Sequence, residues 1–274
     1  MNEIALPTRK EKSRFGREIN AIITIALRDI TLAVRSPGTI IMSLAMPLIM
    51  MGMLGGSIAQ NMAGGLGYDY NKFMMVGMMV NMLFMVTTTG MMSLVEDRTT
   101  DFTQEMLISP VSRYSIVIGK IFGSSFGAIV SMAGTLIVGI IMGITLSPGQ
   151  LLMMLFLSPL MCLSGGALAM IIIGIVKSNK TANIAVMLIT MPQMFLSGAI
   201  IPINNSSGIL YVLSHAMPMT YCLDLARAVV YAGTPEYNSV VLFNPMVNFI
   251  AIAVLTVICL IIGTYLFARS EKSR

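Results

Sequence analysis

The stretch FMMVGMMVNMLFMVTTTGMMSLV, residues 73–95, carries no Asp, Glu, Lys or Arg. A helix needs roughly 20 apolar residues to cross about 30 Å of hydrocarbon, so this run predicts a transmembrane helix. Five further runs meet the same requirement: 39–59, 115–144, 150–176, 182–201 and 246–268. None of them contains Asp or Glu. Lys120 lies one turn inside the third, where its alkyl stem is expected to carry the ammonium back to the interface. Of the 274 residues, 56% are hydrophobic and 11% charged. Soluble domains carry about a quarter charged residues, so this chain has too few to wet a globular surface. The fold class that follows is an all-α integral membrane protein with six transmembrane helices.

The basic residues orient these spans. The formal net charge is +5, and all but Lys72 and Arg227 of the 17 Lys and Arg fall on one side of the six-span topology. That side holds the N-terminal segment (Arg9 to Arg35), the segment after the second span (Arg98, Arg113, with Lys120 close behind), the segment after the fourth (Lys177, Lys180) and the tail (Arg269, Lys272, Arg274). Positive residues accumulate on the cytoplasmic side, which predicts a multi-pass cell-membrane protein with both termini inside. The charge thus reports orientation and not a nucleic-acid partner. No cleavable signal is expected, because the chain opens polar and basic before its first apolar run.

Two organised regions flank the spans. Residues 1–38 form a cytoplasmic N-terminus, and 39–274 the membrane domain. From Phe15 to Arg35, the residues Arg17, Thr24, Arg28, Thr31 and Arg35 fall on one helical line, and Phe15, Ile19, Ile22, Ala26 and Ile30 on another. A basic stripe opposite an apolar one suits a helix lying in the headgroup plane, and Pro37-Gly38 then turns the chain into the bilayer. Between the fifth and sixth spans, residues 219–232 are apolar but shorter than a span, which predicts an external re-entrant or interfacial segment. There Asp224 and Arg227, three apart, are placed to pair on one helical face. Glycines at i+4 spacing (Gly119, Gly123 and Gly127; Gly139 and Gly143; Gly52 and Gly56) predict close helix packing.

Enzyme chemistry finds little support. There is no G-x-x-x-x-G-K, G-x-S-x-G or H-E-x-x-H. Cys162, Cys222 and Cys259 are scattered, and His215 is the single histidine, so neither a disulfide framework nor a metal site is expected. No span offers the intramembrane carboxylate that proton-coupled carriers usually keep, which disfavours a self-powered carrier. Among uncharged polar groups at membrane depth, Asn81, Thr88 and Gln193 either bond across helices or face a pathway. The chain has 28 methionines; Met78 and Met82 beside Asn81 suit adaptable apolar ligands or plain bundle filling.

The segment after the second span runs Glu96-Asp97-Arg98-Thr99-Thr100-Asp101-Phe102-Thr103-Gln104-Glu105-Met106-Leu107-Ile108-Ser109-Pro110. Asp101 with Gln104 three residues on resembles a capping box, and Pro110 stops the helix, predicting a two-turn cytoplasmic helix. Phe102 and Met106 share its face. That face either docks in a groove of a soluble partner or rests on the membrane.

This segment, continued by Ser-Pro-Val-Ser-Arg (109–113), closely resembles the cytoplasmic loop of ABC type-2 exporter permeases. Phe195-Leu196-Ser197-Gly198-Ala199-Ile200-Ile201-Pro202 resembles that family's signature after the fifth span. Met217-Pro218-Met219-Thr220-Tyr221 with Asp224 and Arg227 resembles its segment before the last. One departure is Asp101-Phe102-Thr103-Gln104, where many members carry Gly-Thr-Leu-Glu. The resemblance implies a transport subunit and not an enzyme, with ATP bound by a separate cytoplasmic ABC ATPase and no cofactor held by this chain. It implies that Glu96, Asp97, Arg98, Asp101, Phe102, Gln104, Glu105 and Met106 couple to that ATPase. It further implies that two permease chains pair as a homodimer in the lipid, and that cargo moves outward along their seam. Met78, Asn81, Met82, Thr88, Gln193 and Phe195 are the candidate pathway, and Asp224 and Arg227 the external gate. Amphipathic or lipidic, drug- or antibiotic-like compounds are the expected cargo, as in multidrug exporters. Polysaccharide or lipid-linked export, or an ATPase-independent carrier, is the alternative.

Overall fold

The computed structural model describes residues 14–35, 37–56, 67–97, 112–176, 178–204 and 206–272, and its secondary structure is entirely helical. In chain order the helices are α1 (Arg14–Val34), α2 (Pro37–Ile49, continued by a π-helical turn Met50–Gly55), α3 (Tyr70–Gly90), α4 (Ser93–Asp97), α5 (Arg113–Ile141) and α6 (Pro148–Ile175). They continue with α7 (Asn179–Leu196), α8 (Gly208–Ala216), α9 (Pro218–Val230), α10 (Tyr237–Val240) and α11 (Pro245–Lys272). Among the described residues four segments are long and apolar enough to cross a membrane: Tyr70–Glu96, Tyr114–Ile141, Pro148–Ile175 and Tyr237–Phe267. The apolar part of α2 is shorter, Leu44–Met53, and α7 opens on the polar Asn179, Lys180, Thr181 and Asn183.

Local chemistry sets the ends. Asp69 caps α3 by accepting from the Asn71 and Lys72 N–H groups. Ser147 and Gln150 form a reciprocal capping box at α6, with Pro148 in the first turn, where its missing N–H costs nothing. Gln150 also donates to the Val230 carbonyl (2.7 Å), tying α6 to the end of α9. The expected 73–95 span breaks after Gly90 into a turn and then α4, and the expected 182–201 span ends at Leu196.

Helix α3 is the hub, packed against α5, α6 and α9, and every residue from Phe73 to Phe84 is buried. Its methionines make the main core with Met132, Met154, Met161, Met194 and Met219. Lipid is as apolar as these side chains, so their role is dense packing and not escape from water. Helices α6 and α11 cross through reciprocal glycines. A Cβ on Gly263 would come within 2.7 Å of Met170 Cβ, and one on Gly174 within 2.5 Å of Leu266 Cβ.

The α5 glycines pack against α1, not against a neighbouring span. A Cβ on Gly119 would lie 3.0 Å from the Ile22 carbonyl, and one on Gly123 2.6 Å from Asp29 Cβ. This splits the expected apolar stripe of α1. Ile22 and Ala26 turn towards α5, while Phe15, Ile19, Ile23 and Leu27 form an exposed apolar ladder at i+4 spacing. Gly143 terminates α5 in a left-handed conformation (φ 82°) instead of pairing with Gly139, and Cβ atoms on Gly52 and Gly56 would meet nothing within 4 Å.

Candidate functional site

At one end of the bundle, α1, α4, α5 and α7 are joined by polar side chains. Lys120 does not reach out to an interface as its position near the span end suggests. It is fully buried, and its Nζ donates to Asp29 Oδ1 (3.2 Å) and Ser93 Oγ (2.9 Å). The α1 helix lies close enough over Gly123 to bring Asp29 into reach, so the ammonium pairs inward. Eleven residues before Asp29, on the same face of α1, Glu18 accepts from the Ser112 N–H with both oxygens (3.1 and 3.0 Å). Glu96 accepts from Asn179 Nδ2 (2.9 Å) at the start of α7.

These contacts bracket the segment between α4 and α5. Of the expected coupling residues, Glu96 and Asp97 belong to α4. Arg98, Asp101, Phe102, Gln104, Glu105 and Met106 lie outside the described residues.

At the other end, α8, α9 and α10 fill the connection from α7 to α11, with α8 and α9 outside the four long apolar segments. Helix α9 is almost wholly buried between α3, α6 and α11. Asp224 and Arg227 do not form the expected pair; they diverge. Asp224 accepts from Leu242 N (2.7 Å), Phe243 N (2.8 Å) and Asn248 Nδ2 (2.7 Å), holding the entry to α11. Arg227 donates to the Gly198 carbonyl (2.6 Å) and lies 3.6 Å above the Phe73 ring. Burial pushes the Asp224 carboxyl above the ordinary carboxylate range, against the pull of its three donors. Burial also draws the Arg227 guanidinium down to about 10, opposed first by the Asp224 charge, so it stays cationic at neutral pH.

The Phe195–Pro202 motif is built around this arginine. Gly198 sits at φ 87°, a conformation that costs L side chains about 1–2 kcal/mol, and a Cβ there would also crowd Ile203 (3.1 Å). The turn swings Ala199 against α3, where Gly77 leaves room; a Cβ on Gly77 would run into the Ala199 carbonyl. The Tyr70 hydroxyl donates to the next carbonyl, Ile200 (2.8 Å). The sequence singled out Gly198 but not Gly77, whose signal is only a small residue inside a bulky apolar run.

A family model described as ABC-2 type transporter matches residues 20–231, from the middle of α1 to the end of α9. The chain belongs to the ABC-2 type transporter family. The relatives of this ABC-2 permease include a putative transport permease ycf38 of Cyanophora paradoxa, 25% identical over 70% of this chain and 68% of its own. Nodulation protein J of Neorhizobium galegae is 25% identical over 70% of this chain and 74% of its own. That of Rhizobium meliloti is 27% identical over 72% and 75%.

Within this ABC-2 permease the expected pathway residues are dispersed. Met78, Asn81, Thr88 and Gln193 are closed inside the single chain. Thr88 donates its hydroxyl towards Phe84 O (2.7 Å) and Gly165 O (3.1 Å). Asn81 donates weakly to Met219 Sδ (3.9 Å), and Gln193 finds no hydrogen-bond partner at either end among the described residues. Phe195 is 45% exposed. Met82 lines a cavity of about 640 Å³ between α1, α2, α3 and α5. No group of three His, Cys, Asp or Glu able to hold a metal occurs among the described residues.

Proposed function

We propose that this permease is the membrane half of an ATP-driven exporter. It carries six spans, with α2 and α7 completing the four long ones, and both termini lie in the cytoplasm. Two copies pair in the membrane, and a separate cytoplasmic ABC ATPase pushes on the segment 98–111. Phe102 and Met106 are its contact residues. Amphipathic or lipidic compounds of drug or antibiotic type move outward. The external hairpin of α8 and α9, anchored through Asp224 and Arg227, serves as the outer gate.

The observation that carries this reading is the bracketing of 98–111. Glu96 ties its entry to α7, and Glu18 ties its exit at Ser112 to α1. A displacement of the segment is therefore passed to both helices at once, and Lys120 links the same region into α5 and α4. Family membership supports the division of labour, and the basic residues clustered on one side support the orientation.

The test is purification of the tagged chain with its ATPase, followed by bifunctional cross-linking from Phe102→Cys or Met106→Cys. The native Cys162 and Cys222 are buried and Cys259 half-buried, which keeps the background from native thiols low. The expected result is a nucleotide-sensitive cross-link to the ATPase, with efflux lost when 98–111 is replaced by a Gly-Ser linker. A chain that isolates alone and transports under a proton gradient without ATP, or efflux that survives the replacement, overturns the proposal.

A further inference from the structure

Arg227 is 2% exposed and cationic at neutral pH, yet most of its hydrogen-bonding capacity is unspent. A guanidinium carries five N–H donors. Among the described residues only Nη2 is hydrogen-bonded, to the Gly198 carbonyl, and the buried Nε has no partner. The Phe73 ring covers one face of the group. No carboxylate among the described residues comes within 4 Å of it. Asp224, on the same helix, spends its oxygens on the Leu242 and Phe243 amides and on Asn248.

The hydroxyls around this arginine also have hydrogens to give. Tyr231 follows Arg227 by four residues, so the two share a face of α9. It is fully buried, and its hydroxyl has no partner. Ser197, next to Gly198 in the turn after α7, is buried with its hydroxyl unpaired. Lys72 adds a second cation, its Nζ 4.8 Å from the centre of the Tyr231 ring. Of the charged groups acting on Tyr231, Arg227 is the strongest, ahead of Glu236 and Asp69. Asp69 is itself engaged by the Asn71 and Lys72 N–H groups. Gly198 keeps the flank of the guanidinium clear, since a Cβ there would stand 3.6 Å from Nη1.

A buried charge is costly unless it is paired. A water molecule would supply Arg227 with hydrogen bonds but not with charge. We infer that Arg227 and Tyr231 bind a small monovalent anion, a chloride, where α9 meets α3 and the turn after α7. Nε–H and the Tyr231 hydroxyl donate to it, and both bonds are charge-assisted. The near-complete burial of both residues selects a monatomic anion over a bulky organic one. The inference stands apart from the export reading, since the site requires neither nucleotide nor a partner.

The test is a chloride titration of the full chain in neutral detergent, with sodium chloride replacing sodium gluconate at constant ionic strength. Unfolding is read with a fluorogenic maleimide, because Cys162 and Cys222 are buried until the chain opens. The expected result is a midpoint that rises and saturates with chloride, as for a ligand bound by the folded chain alone, and saturable binding of radiolabelled chloride. Tyr231→Phe keeps the ring and removes one donor, so it should weaken chloride binding about tenfold or more, the worth of a hydrogen bond to a charged group. Tyr70→Phe is the control. Tyr70 stacks on the same Phe73 ring, but its hydroxyl is spent on the Ile200 carbonyl, so the chloride affinity should not change. Equal midpoints in chloride and gluconate with no labelled chloride bound, both read on the wild-type chain, overturn the inference. So does an unchanged affinity in Tyr231→Phe, or an equal loss in the two tyrosine variants.

Discussion

The bundle buries charge at both ends but satisfies it differently. At the α9 end the partners are mostly backbone: Asp224 holds the Leu242 and Phe243 amides, and Arg227 holds the Gly198 carbonyl. At the α1 end they are mostly side chains on separate elements, Lys120 with Asp29 and Ser93 and Glu96 with Asn179, the Glu18 bond to the Ser112 amide being the one backbone contact among these. A backbone partner cannot leave without unmaking a turn or a helix start. A side-chain partner can be exchanged by a rotamer change or a small helix shift. The contrast therefore separates an anchored end from an adjustable one, and the adjustable end is the one bracketing the proposed coupling segment.

The largest effect is expected at the anchored end. Asp224→Ala strips three donors of their acceptor in a site where the carboxylate is 1% exposed. Breaking a buried charged cluster of this kind costs about 3–5 kcal/mol. Thermal unfolding in a neutral detergent should show a collapsed midpoint or no folded protein. Lys120→Met, at the adjustable end, leaves behind an Asp29 side chain that is 11% exposed and not fully closed off from water, so it should cost less, about 1.5–3 kcal/mol, the worth of hydrogen bonds to a charged group, and leave the bundle folded. A Lys120→Met loss equal to that of Asp224→Ala would erase the distinction between the two ends.

This difference between the ends was only half legible in the sequence. Four of the expected runs overlap the four long apolar segments, because runs free of Asp and Glu leave few other solutions, although the last segment begins at Tyr237, nine residues before the expected 246. The sub-span length of 219–232 likewise foretold α9. Partners were not legible. The spacing of Gly119, Gly123 and Gly127 announces a close approach but not that α1 makes it. Asp224 and Arg227 are three apart, which local geometry reads as a pair; tertiary structure supplies stronger partners 18 and 29 residues away. The residues of α3 expected to line a pathway gave no phase, since a helix apolar all round looks the same from every side.

An intermediate effect tests how loosely α1 is held. Gly123→Ala places a methyl 2.6 Å from Asp29 Cβ and 3.2 Å from the Ala26 carbonyl. Overpacking a tight contact costs about 1–3 kcal/mol, but α1 can relieve it by lifting off α5. The unfolding midpoint should therefore move little, while Ile25→Cys, at a position 7% exposed, should become reactive to a polar maleimide. A lowered midpoint with Ile25→Cys still protected would make α1 as rigid as the opposite end.

The smallest expected change in stability, and the sharpest test of the interior of α3 and α7, is at Gln193. Its amide is 1% exposed and unpaired at both ends among the described residues. Burying a polar group without a partner costs roughly 1–3 kcal/mol by protein mutational data, so Gln193→Leu, of similar volume, should be neutral or stabilising by about 1 kcal/mol. If Gln193 only fills the bundle, transport by the complex should be unchanged. If it belongs to the pathway, transport should fall although the protein is no less stable, because the amide is retained for a ligand or a second conformation. The two readings share the stability change and differ in transport, so one pair of measurements, the unfolding midpoint and the efflux rate, decides between them. A fall in both would remove the premise, showing that the amide has a structural partner in the assembled transporter.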